Sequence, residues 1–318
     1  MTPIRLAPIR LALVGLGKIA RDQHLPAIAA DDRFELAAVV SRNADLDGVP
    51  HFTTLAELLA SDVAVDAVSL CTPPQPRHAL AHLALAAGKH VMLEKPPGAT
   101  LSEVEDLRLT AAERGLTLQT TWHSRYAQGV APAREWLADK TIKSVRIDWR
   151  EDVRVWHPGQ TWIWEAGGLG VFDPGINALS IATAILPRPF FLTAATLHVP
   201  ENCQSPIQAE LDFVDAAGAP VRAEFDFLQT GPQSWDIAVE VEDKDTGNKV
   251  LKLSHGGAKL WLDDVLLREG PDAEYAGLYD AFARLVVDAA SDVDVSPLRH
   301  VADAFLLGRR VVAPAFIE

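Results

Sequence analysis

Cysteine is scarce in this sequence, and its two residues exclude two classes of protein. Cys71 and Cys203 lie far apart, with neither the spacing of metal ligands nor that of a disulfide framework. Long apolar runs are also lacking: no uncharged stretch is long enough to cross a bilayer. The first residues do not show the pattern of a signal peptide. We therefore expect a cytoplasmic protein without a membrane partner.

Basic residues are also few relative to acidic ones. There are 29 lysines and arginines against 43 aspartates and glutamates, which gives a formal net charge of -14. This balance argues against nucleic acid or an anionic membrane as the main partner. A phosphate-bearing cofactor stays compatible, because backbone amides and one or two arginines suffice to bind it. With 318 residues, of which 48% are hydrophobic, the chain is expected to bury a full core and to form two domains.

A glycine turn follows the first apolar run of the chain. Residues 9–14 predict a buried strand, and residues 15–20 follow as G-x-G-x-x-A. Gly15 permits the tight turn, Gly17 lets the backbone approach a pyrophosphate, and Ala20 keeps the next helix close to the sheet. A second predicted strand, at 36–40, completes a βαβ unit and argues against a chance glycine turn. The predicted cofactor contacts of this turn are Gly15, Gly17, Lys18 and Ile19.

Ser41 and Arg42 stand at the end of the second predicted strand, where the two nicotinamide cofactors are distinguished. An acid at this point would bind the ribose 2′-hydroxyl of NAD, whereas an arginine accommodates the 2′-phosphate of NADP. The tip has no acid. Ser41 can hydrogen-bond the phosphate, and Arg42 can pair with it or stack on adenine. We expect NADP to be preferred and NAD to be tolerated.

The stretch from His90 to Gly98 places a lysine at the end of a strand. An apolar run at 91–93 is followed by Glu94, Lys95 and two prolines, which cannot continue a strand. Open α/β sheets bind their ligands at the carboxyl ends of strands. A solvated loop lysine is the alternative. We favour a catalytic Lys95, because it lies about one nucleotide-binding half-domain after the glycine turn.

Two further predicted strands end in polar residues. The strand at 64–70 runs into Cys71-Thr72-Pro73-Pro74, and a helix with His78 near its start follows. Cys71 is better explained as a small packing residue than as a nucleophile, and His78 either faces the cofactor or lies at a solvated helix start. The strand at 116–121 ends at Trp122. The predicted cofactor contacts of these strand ends and of the Lys95 stretch are Cys71, Thr72, Pro73, His78, Glu94, Lys95 and Trp122.

We place the domain boundary after residue 123, which gives a dinucleotide-binding domain at 1–123 and a substrate-binding and oligomerisation domain at 124–318. In the second half, runs of alternating polarity predict an open, largely antiparallel sheet. A polar turn is predicted at 243–247 and helices at 275–289 and 298–312. The predicted fold class is α/β, a Rossmann domain followed by an α+β domain. Its broad sheet could pair with another copy, so a homo-oligomer, and a dimer first, is expected.

Tryptophan is concentrated in the second half. Four of the eight tryptophans lie between Trp149 and Trp164, a stretch that also holds Glu151 and His157 and that Asp173 follows. Tryptophans are usually core residues, but tryptophans interleaved with acids and histidine more often line a sugar pocket.

Asp173 and Asn177 share a helix face if a helix begins near Asp173. The alternatives are an N-cap for Asp173 and a buried amide for Asn177. We interpret the glycines at 167–170 as clearing space for a ligand, which favours a functional role for Asp173 over an N-cap.

Taken jointly, these motifs resemble those of the glucose–fructose oxidoreductase and inositol dehydrogenase family. They are G-x-G-x-x-A, Thr-Pro-Pro, Glu-Lys-Pro and Gly-Gly-x-x-x-Phe-Asp-x-Gly-x-Asn, and the resemblance covers the chain from Ile9 onward. Within the family the chain is most similar to the bacterial enzymes that oxidise L-arabinose, and often D-galactose, at C1. Residues 17–28, 88–100, 121–125 and 156–160 carry that similarity. Many family members have histidine in place of Asn177, whereas the arabinose-type subgroup is similar in having asparagine.

The resemblance implies oxidation of a cyclic aldose to its lactone with NADP, and NAD tolerated. The implied catalytic residues are Lys95, Asp173 and Asn177. One of Lys95 and Asp173 removes the C1 hydroxyl proton, the other is its electrostatic partner, and Asn177 orients Asp173 or the hydroxyl. The implied sugar contacts are Lys95, His123, Glu151, Trp156, His157, Asp173, Asn177 and Trp235.

No metal is needed for this reaction, because hydride transfer is the cofactor's chemistry. Three alternatives stay open. They are a different sugar or polyol dehydrogenase of the same family, a glycosidase that regenerates its NAD, and a non-catalytic NADP sensor.

Overall fold

The structure is a computed structural model that describes residues 7–242 and 247–318. The sequence begins with a tandem repeat, Pro3-Ile-Arg-Leu-Ala7 and Pro8-Ile-Arg-Leu-Ala12. The first copy has no place in the predicted strand pattern, and it lies outside the described residues except for Ala7. The predicted turn at 243–247 lies outside them except for Gly247. The chain divides into two compact units: one extends to Thr121 and includes Tyr275–Asp294, and the other comprises Trp122–Glu274 and Val295–Glu318.

A parallel sheet forms the centre of the first unit. In the described part of this unit its six strands have the order β3-β2-β1-β4-β5-β6. The order reverses between β1 and β4, and this switch point is where such sheets bind ligands, beyond the carboxyl ends of the strands. The strands are β1 (Ile9–Val14), β2 (Phe34–Val40), β3 (His51–Phe52), β4 (Ala67–Leu70), β5 (His90–Glu94) and β6 (Leu118–Thr121).

Helices in the first unit begin and end where the sequence signals it. Thr100 accepts a hydrogen bond from the Glu103 backbone nitrogen, and the Glu103 side chain accepts one from the Thr100 nitrogen. Such a capping box satisfies otherwise unpaired amides at a helix start. Leu85 and Leu107 are fully buried in the core with strand residue Leu93. The helices are α1 (Leu25–Ala29), α2 (Leu55–Leu59), α3 (Arg77–Ala86) and α4 (Leu101–Glu113), and a π-helix, Ala20–His24, precedes α1.

The second unit is built on a larger sheet, and the prediction of a largely antiparallel sheet is confirmed. Its nine strands within the described residues have the order β14-β13-β12-β11-β7-β10-β9-β8-β15. Only the β7–β10 and β8–β15 pairs among them are parallel. The strands are β7 (Thr141–Arg150), β8 (Phe190–Pro200), β9 (Gln208–Asp215), β10 (Pro220–Asp226), β11 (Ser234–Glu242), β12 (Lys249–Ser254), β13 (Lys259–Leu262), β14 (Val265–Glu269) and β15 (Arg309–Ala313).

Five helices accompany this part of the chain as described: α5 (Val130–Leu137), α6 (Val153–Trp156), α7 (Phe172–Ile185), α8 (Glu274–Val287) and α9 (Ser296–Leu307). Residues 275–287 of α8 belong to the first unit, whereas the division at residue 123 assigned them to the second domain. The functional roles of the two domains, and the pairing of the second sheet with another copy, stay predictions. Among the described residues, no helix is long and apolar enough to cross a membrane.

The predicted helix at 298–312 is wrong in its last turn. Helix α9 ends at Leu307, and Gly308 has extended backbone, with φ -70° and ψ 136°. The next five residues form β15, which pairs in parallel with Thr196–Pro200 of β8. The helical spacing of apolar residues continued past Gly308, but pairing with a strand more than a hundred residues away overrode it.

Candidate active site

The turn after β1 is shaped to receive a phosphate group. Gly15 has a φ of 92°, and a Cβ there would lie 3.0 Å from the carbonyl carbon of Cys71, so only glycine fits beside the loop after β4. A Cβ at Gly17 would meet no atom within 4 Å. The space beside Gly17 is therefore open at the start of the helical run. Both glycines fit the pyrophosphate of a dinucleotide, which binds to amides at such a helix start.

Lys18 and Ile19 follow the turn at the surface. Ile19 is 36% exposed, and the Lys18 ammonium pairs with the carboxylate of Asp22 one turn later. An exposed pair of this kind contributes little to stability, so Lys18 can exchange it for a phosphate oxygen.

Ser41 and Arg42 directly follow β2. The Ser41 carbonyl oxygen lies 2.8 Å from Nε2 of His51, which holds the tip of the strand. Arg42 is exposed, and no described residue forms an ion pair with its guanidinium. A serine and an accessible arginine at this tip fit the 2′-phosphate of NADP.

Arg77 joins the loops after β4 and β5, a role that sequence reasoning missed. Its guanidinium donates hydrogen bonds to the carbonyl oxygens of Thr72, Glu94 and Pro96, and the residue is 2% exposed. The loops that follow the parallel strands β4 and β5 are thereby held together on both sides of Lys95. The sequence gives no signal for this, because an arginine at a helix start is normally solvated.

The side chains of Cys71 and His78 lie near this arginine in the chain. Cys71 is partly buried, with its sulfur 3.8 Å from the Ser69 hydroxyl. His78 Nε2 lies 2.8 Å from Oδ2 of Asp106 on α4. The pair with Asp106 fits the alternative of a partly solvated helix-start histidine. The cofactor contacts of Cys71, Thr72, Pro73 and His78 stay predictions.

Glu94 is the centre of a buried polar network behind the candidate lysine. Its Oε1 accepts a hydrogen bond from the Tyr275 hydroxyl at 2.8 Å and lies 3.0 Å from His24 Nε2. Its Oε2 accepts one from the Lys95 backbone nitrogen at 2.8 Å. The other nitrogen of His24 lies 2.8 Å from the Tyr279 hydroxyl. Four side chains from distant parts of the chain thus fix the end of β5, and the predicted cofactor contact of Glu94 stays a prediction.

His24 is fully buried in this network. Burial alone would lower the pKa of His24, but the interactions with Cys71, Tyr279 and Glu94 outweigh it and raise the pKa well above 6.5. Burial also raises the pKa of Tyr279. A protonated His24 beside the Glu94 carboxylate therefore fits the network, since a buried charge needs a partner.

Lys95 follows β5, as predicted, and is partly buried. Its backbone is held on both sides, by Glu94 through the amide and by Arg77 through the neighbouring Pro96 carbonyl. The backbone of Lys95 is therefore fixed at the carboxyl end of β5, at the edge of the first sheet where the switch point also lies. A catalytic role for Lys95 stays a prediction.

In the second unit, His157 connects two of the predicted sugar-binding acids. Its Nε2 lies 3.0 Å from Oε1 of Glu151, and its Nδ1 lies 3.5 Å from Oδ2 of Asp173. Glu151 is 2% and Asp173 3% exposed. The three residues come from the end of β7, the turn after α6 and the first turn of α7. Sequence reasoning chose all three, and the structure brings them into one chain of polar groups.

Tryptophan rings lie beside this chain of polar groups. The Trp235 indole donates a 2.7 Å hydrogen bond to Oε2 of Glu151. The Trp156 ring packs edge-on against Trp235, with centroids 4.8 Å apart, and Trp149 stacks on it at 6.2 Å. Trp149 is buried and Trp156 is 39% exposed. Trp149 is thus a core residue, whereas Trp156 and Trp235 have partly exposed rings of the kind that suits a sugar. The sugar contacts of Trp156 and Trp235 stay predictions.

The interpretation of the glycine run is wrong. A Cβ at Gly168 would lie 2.2 Å from the Trp162 carbonyl oxygen, and one at Gly170 would lie 2.2 Å from that of Pro206. These glycines therefore allow close packing of the protein's own backbone and do not clear space for a ligand. Asp173 is not the N-cap either, because Val171 occupies that position and Asp173 lies in the first turn of α7.

The remaining predicted residues lie in the second unit. Asn177 follows Asp173 by one turn of α7 and is partly buried, so the predicted common face is confirmed. His123 Nδ1 bonds to the Glu274 carboxylate. Trp122 is 3% exposed, with the Arg125 guanidinium 5.9 Å from the centre of its ring. The sugar contact of His123 and the cofactor contact of Trp122 stay predictions.

Comparison with known proteins agrees with this geometry. Residues 9–121 match the GFO_IDH_MocA oxidoreductase family, which has an NAD-binding Rossmann fold. The chain is 49% identical over 313 residues to galactose 1-dehydrogenase of Pseudomonas fluorescens, covering 98% of this chain and 100% of the relative. Among solved structures it is similar to D-galactose-1-dehydrogenase from Rhizobium etli, with 56% identity, a TM-score of 0.92 and coverage of 98% and 99%.

A more distant structure shares the fold. It is KijD10, a 3-ketoreductase from Actinomadura kijaniata in complex with NADP and TDP-benzene, with 21% identity, a TM-score of 0.82 and coverage of 96% and 100%. These comparisons define the class as NAD(P)-dependent oxidoreductases with a Rossmann domain. The chain belongs to the GFO/IDH/MocA family, so the predicted family and fold class are confirmed.

Proposed function

We propose that this protein is an NADP-dependent aldose 1-dehydrogenase that oxidises D-galactose and L-arabinose to their lactones. The similarity to two galactose 1-dehydrogenases along nearly the whole chain, at 49% and 56% identity, is the observation that carries the proposal. Both relatives are named for galactose, so L-arabinose rests on the shared stereochemistry of the two sugars. As pyranoses they have the same hydroxyl arrangement from C1 to C4.

The polar chain of Glu151, His157 and Asp173 supports a sugar as substrate. The carboxylates accept hydrogen bonds from hydroxyls, and the imidazole between them can donate or accept according to its protonation. Trp156 and Trp235 supply apolar ring faces beside these groups. This combination suits a pyranose, which has polar edges and apolar C–H faces.

The reaction removes a hydride from C1 and a proton from the C1 hydroxyl, so that a C1 carbonyl forms and the ring becomes a lactone. When bound, the nicotinamide supplies the hydride acceptor. Lys95 and Asp173 both act on the hydroxyl proton, one as the base and the other as its electrostatic partner. Asn177, one helical turn after Asp173, orients the aspartate or the hydroxyl without titrating.

The preference for NADP is part of the proposal. Arg42 is exposed at the tip of β2 beside Ser41, and a guanidinium binds a phosphate by strong, charge-assisted hydrogen bonds. NAD lacks the 2′-phosphate that Arg42 would bind, and no acid at the tip of β2 is present to bind its ribose 2′-hydroxyl. NAD is therefore tolerated but used less well.

The proposal is tested by incubating the protein with D-galactose or L-arabinose and NADP. Reduced cofactor should accumulate, and nuclear magnetic resonance should detect the lactone and the aldonic acid that forms from it by hydrolysis. In a parallel incubation with a galactoside, a glycosidase that regenerates its cofactor would release the sugar without net reduction. A sensor would bind NADP and oxidise no aldose. Either result would overturn the proposed function.

A further inference from the structure

A short segment after β15 lies against the loop that carries two of the sugar-binding residues. We define the loop as residues 152–165, which include Trp156 and His157, and the strap as residues 314–318. Parallel pairing of β15 with β8 brings the strap to the loop, and the Glu201 nitrogen donates a 3.1 Å hydrogen bond to the Ala313 carbonyl oxygen. The strap therefore starts from a fixed position.

Asn202 holds the strap as a neighbouring strand would. Its Nδ2 donates to the Phe316 carbonyl oxygen at 2.7 Å, and its Oδ1 accepts from the Phe316 nitrogen at 2.9 Å. One side chain thus pairs both backbone groups of a single residue. This arrangement fixes both the position and the direction of the chain at Phe316.

The Phe316 ring contacts the loop on two sides. Its centroid lies 5.1 Å from that of Trp164, and the Arg154 guanidinium lies 4.8 Å from the ring. Arg154 Nη2 also donates a 3.2 Å hydrogen bond to the Ile317 carbonyl oxygen. Both ends of the loop, at Arg154 and at Trp164, are therefore attached to the same phenylalanine.

Backbone and packing link these anchors to the sugar-binding residues. The fully buried Phe227 contacts both Trp164, at 5.8 Å between centroids, and His157, at 5.3 Å. The Glu318 carboxylate accepts a hydrogen bond from the Gly159 nitrogen, two residues after His157. A displacement of Trp164 or of Gly159 would thus reach the imidazole directly.

The loop is also anchored away from the strap. Val153 and Ile163 are buried, and the Val153 nitrogen donates a 3.1 Å hydrogen bond to the Phe227 carbonyl oxygen. Val155 is 66% and Trp156 39% exposed, so the outer side of α6 is not buried. A cavity of about 360 Å³ lies beside the strap, lined by Thr161, Trp164, Glu165, Asn202, Cys203, Gln204, Phe316 and Glu318. Because packing leaves this space open, the contacts of Phe316 and Asn202 restrain the loop on the side that faces the strap.

We propose that Phe316 is a positioning residue for sugar binding: the strap holds the loop so that Trp156 and His157 meet the aldose in a fixed geometry. The inference rests on the proposed function for the role of these two residues, and it adds a residue that does not touch the substrate. A preorganised loop lowers the entropy lost on binding. Loosening it should therefore weaken sugar binding more than it slows turnover of bound sugar.

The test compares Phe316→Ala and Asn202→Ala with two controls that remove similar groups elsewhere. Phe191→Ala removes an exposed ring, and Asn248→Ala removes an exposed amide that donates to Glu240 at 2.8 Å. Misplacement of binding groups by about 1 Å can cost on the order of a hundredfold. We expect the KM for the sugar to rise about tenfold in both strap variants, with kcat changed less and the KM for NADP unchanged.

A second readout does not depend on any activity. Arg154 is exposed and attached to the strap, so limited trypsin digestion after Arg154, followed by mass spectrometry, reports whether the loop is held. Cleavage at Arg154 should be several-fold faster in Phe316→Ala and Asn202→Ala than in the controls. Equal cleavage, or strap variants with an unchanged sugar KM, would overturn the inference. If the wild-type protein oxidises no aldose, the proposed function is refuted, and so is the role of Phe316 in sugar binding. The cleavage rates are read separately, because they report whether the strap holds the loop whatever the substrate is.

Discussion

The Nε2 atom of His157 lies 3.0 Å from Oε1 of Glu151, which is itself almost fully buried. A buried carboxylate without a partner is costly, so Glu151 depends on the imidazole and on the Trp235 indole, which donates to its other oxygen. These two partners fix both carboxylate oxygens before any substrate arrives. Under the proposed function, a sugar hydroxyl would therefore meet a preorganised acceptor.

Glu151→Gln should weaken use of the sugar with little change for the cofactor. The substitution keeps the shape of the side chain but removes the charge, and a hydrogen bond to a charged group contributes about 1.5–3 kcal/mol. The kcat/KM for D-galactose should fall by roughly ten- to a hundredfold. Asp236→Asn is the control, since that carboxylate pairs with Lys252 at 2.7 Å on the same sheet. Equal losses in both variants would contradict the assignment of Glu151.

Arg42→Ala should weaken NADP far more than NAD. Only NADP carries the 2′-phosphate, and the loss of one charge-assisted contact costs about 1.5–3 kcal/mol. Kd values for both cofactors, measured by calorimetry, give the comparison directly. Arg21→Ala provides the control, because Arg21 is a nearby exposed arginine that donates to the Asp45 carbonyl oxygen at 3.3 Å. The assignment fails if the affinities for the two cofactors fall equally.

Lys95→Ala and Asp173→Ala should each lower kcat by orders of magnitude while the fold persists. If the two residues act as one unit on the hydroxyl proton, the double variant should lose much less than the sum of the single losses. Steady-state kinetics with saturating sugar and circular dichroism make the comparison. Full additivity would show that they serve separate steps.

His24→Gln should destabilise the protein in a pH-dependent manner. The pKa of His24 in the folded protein is raised well above 6.5. The folded state therefore binds the proton more tightly than the unfolded state, and the added stability is fully present below about pH 6.5. It is lost as the pH rises through the folded value.

The Tm difference between the wild-type protein and His24→Gln should thus be larger at pH 6 than at pH 9. His51→Gln is the control, since His51 is exposed and its ring nitrogen lies 2.8 Å from the Ser41 carbonyl oxygen. A difference that grows toward high pH would show that His24 is neutral in the folded protein.

Short-range patterns in the sequence predicted much of the fold. The strand at 9–14, the glycine turn and the strand that ends before Ser41 were predictable because each has a pattern within a few residues. Strand β15 was not, because it forms by pairing with residues more than a hundred positions away. Nor could the sequence show that Gly170 packs on the backbone of Pro206, which belongs to a later loop.

The same contrast between local patterns and long-range contacts applies to the candidate site. Glu151, His157 and Asp173 were chosen as separate residues from composition and resemblance, and their contacts became visible only in the folded chain. The supporting residues Arg77, His24, Tyr275 and Tyr279 have no local pattern that marks them. Each becomes significant through partners brought in by the fold.

The most direct test of the account is the kcat/KM of the enzyme for four aldoses with NADP. D-Galactose and D-glucose differ at C4, as do L-arabinose and D-xylose, while L-arabinose lacks the hydroxymethyl group of D-galactose. A site that hydrogen-bonds a hydroxyl rejects its absence or inversion strongly, whereas an added group is judged by available space, with discrimination of about ten- to a few hundredfold. We predict that L-arabinose and D-galactose are both oxidised, with L-arabinose preferred, and that D-xylose and D-glucose are poor substrates. If D-xylose instead rivals L-arabinose, the space at C5 determines specificity, and a hydroxyl-reading pocket built from Glu151, His157 and Asn177 is contradicted.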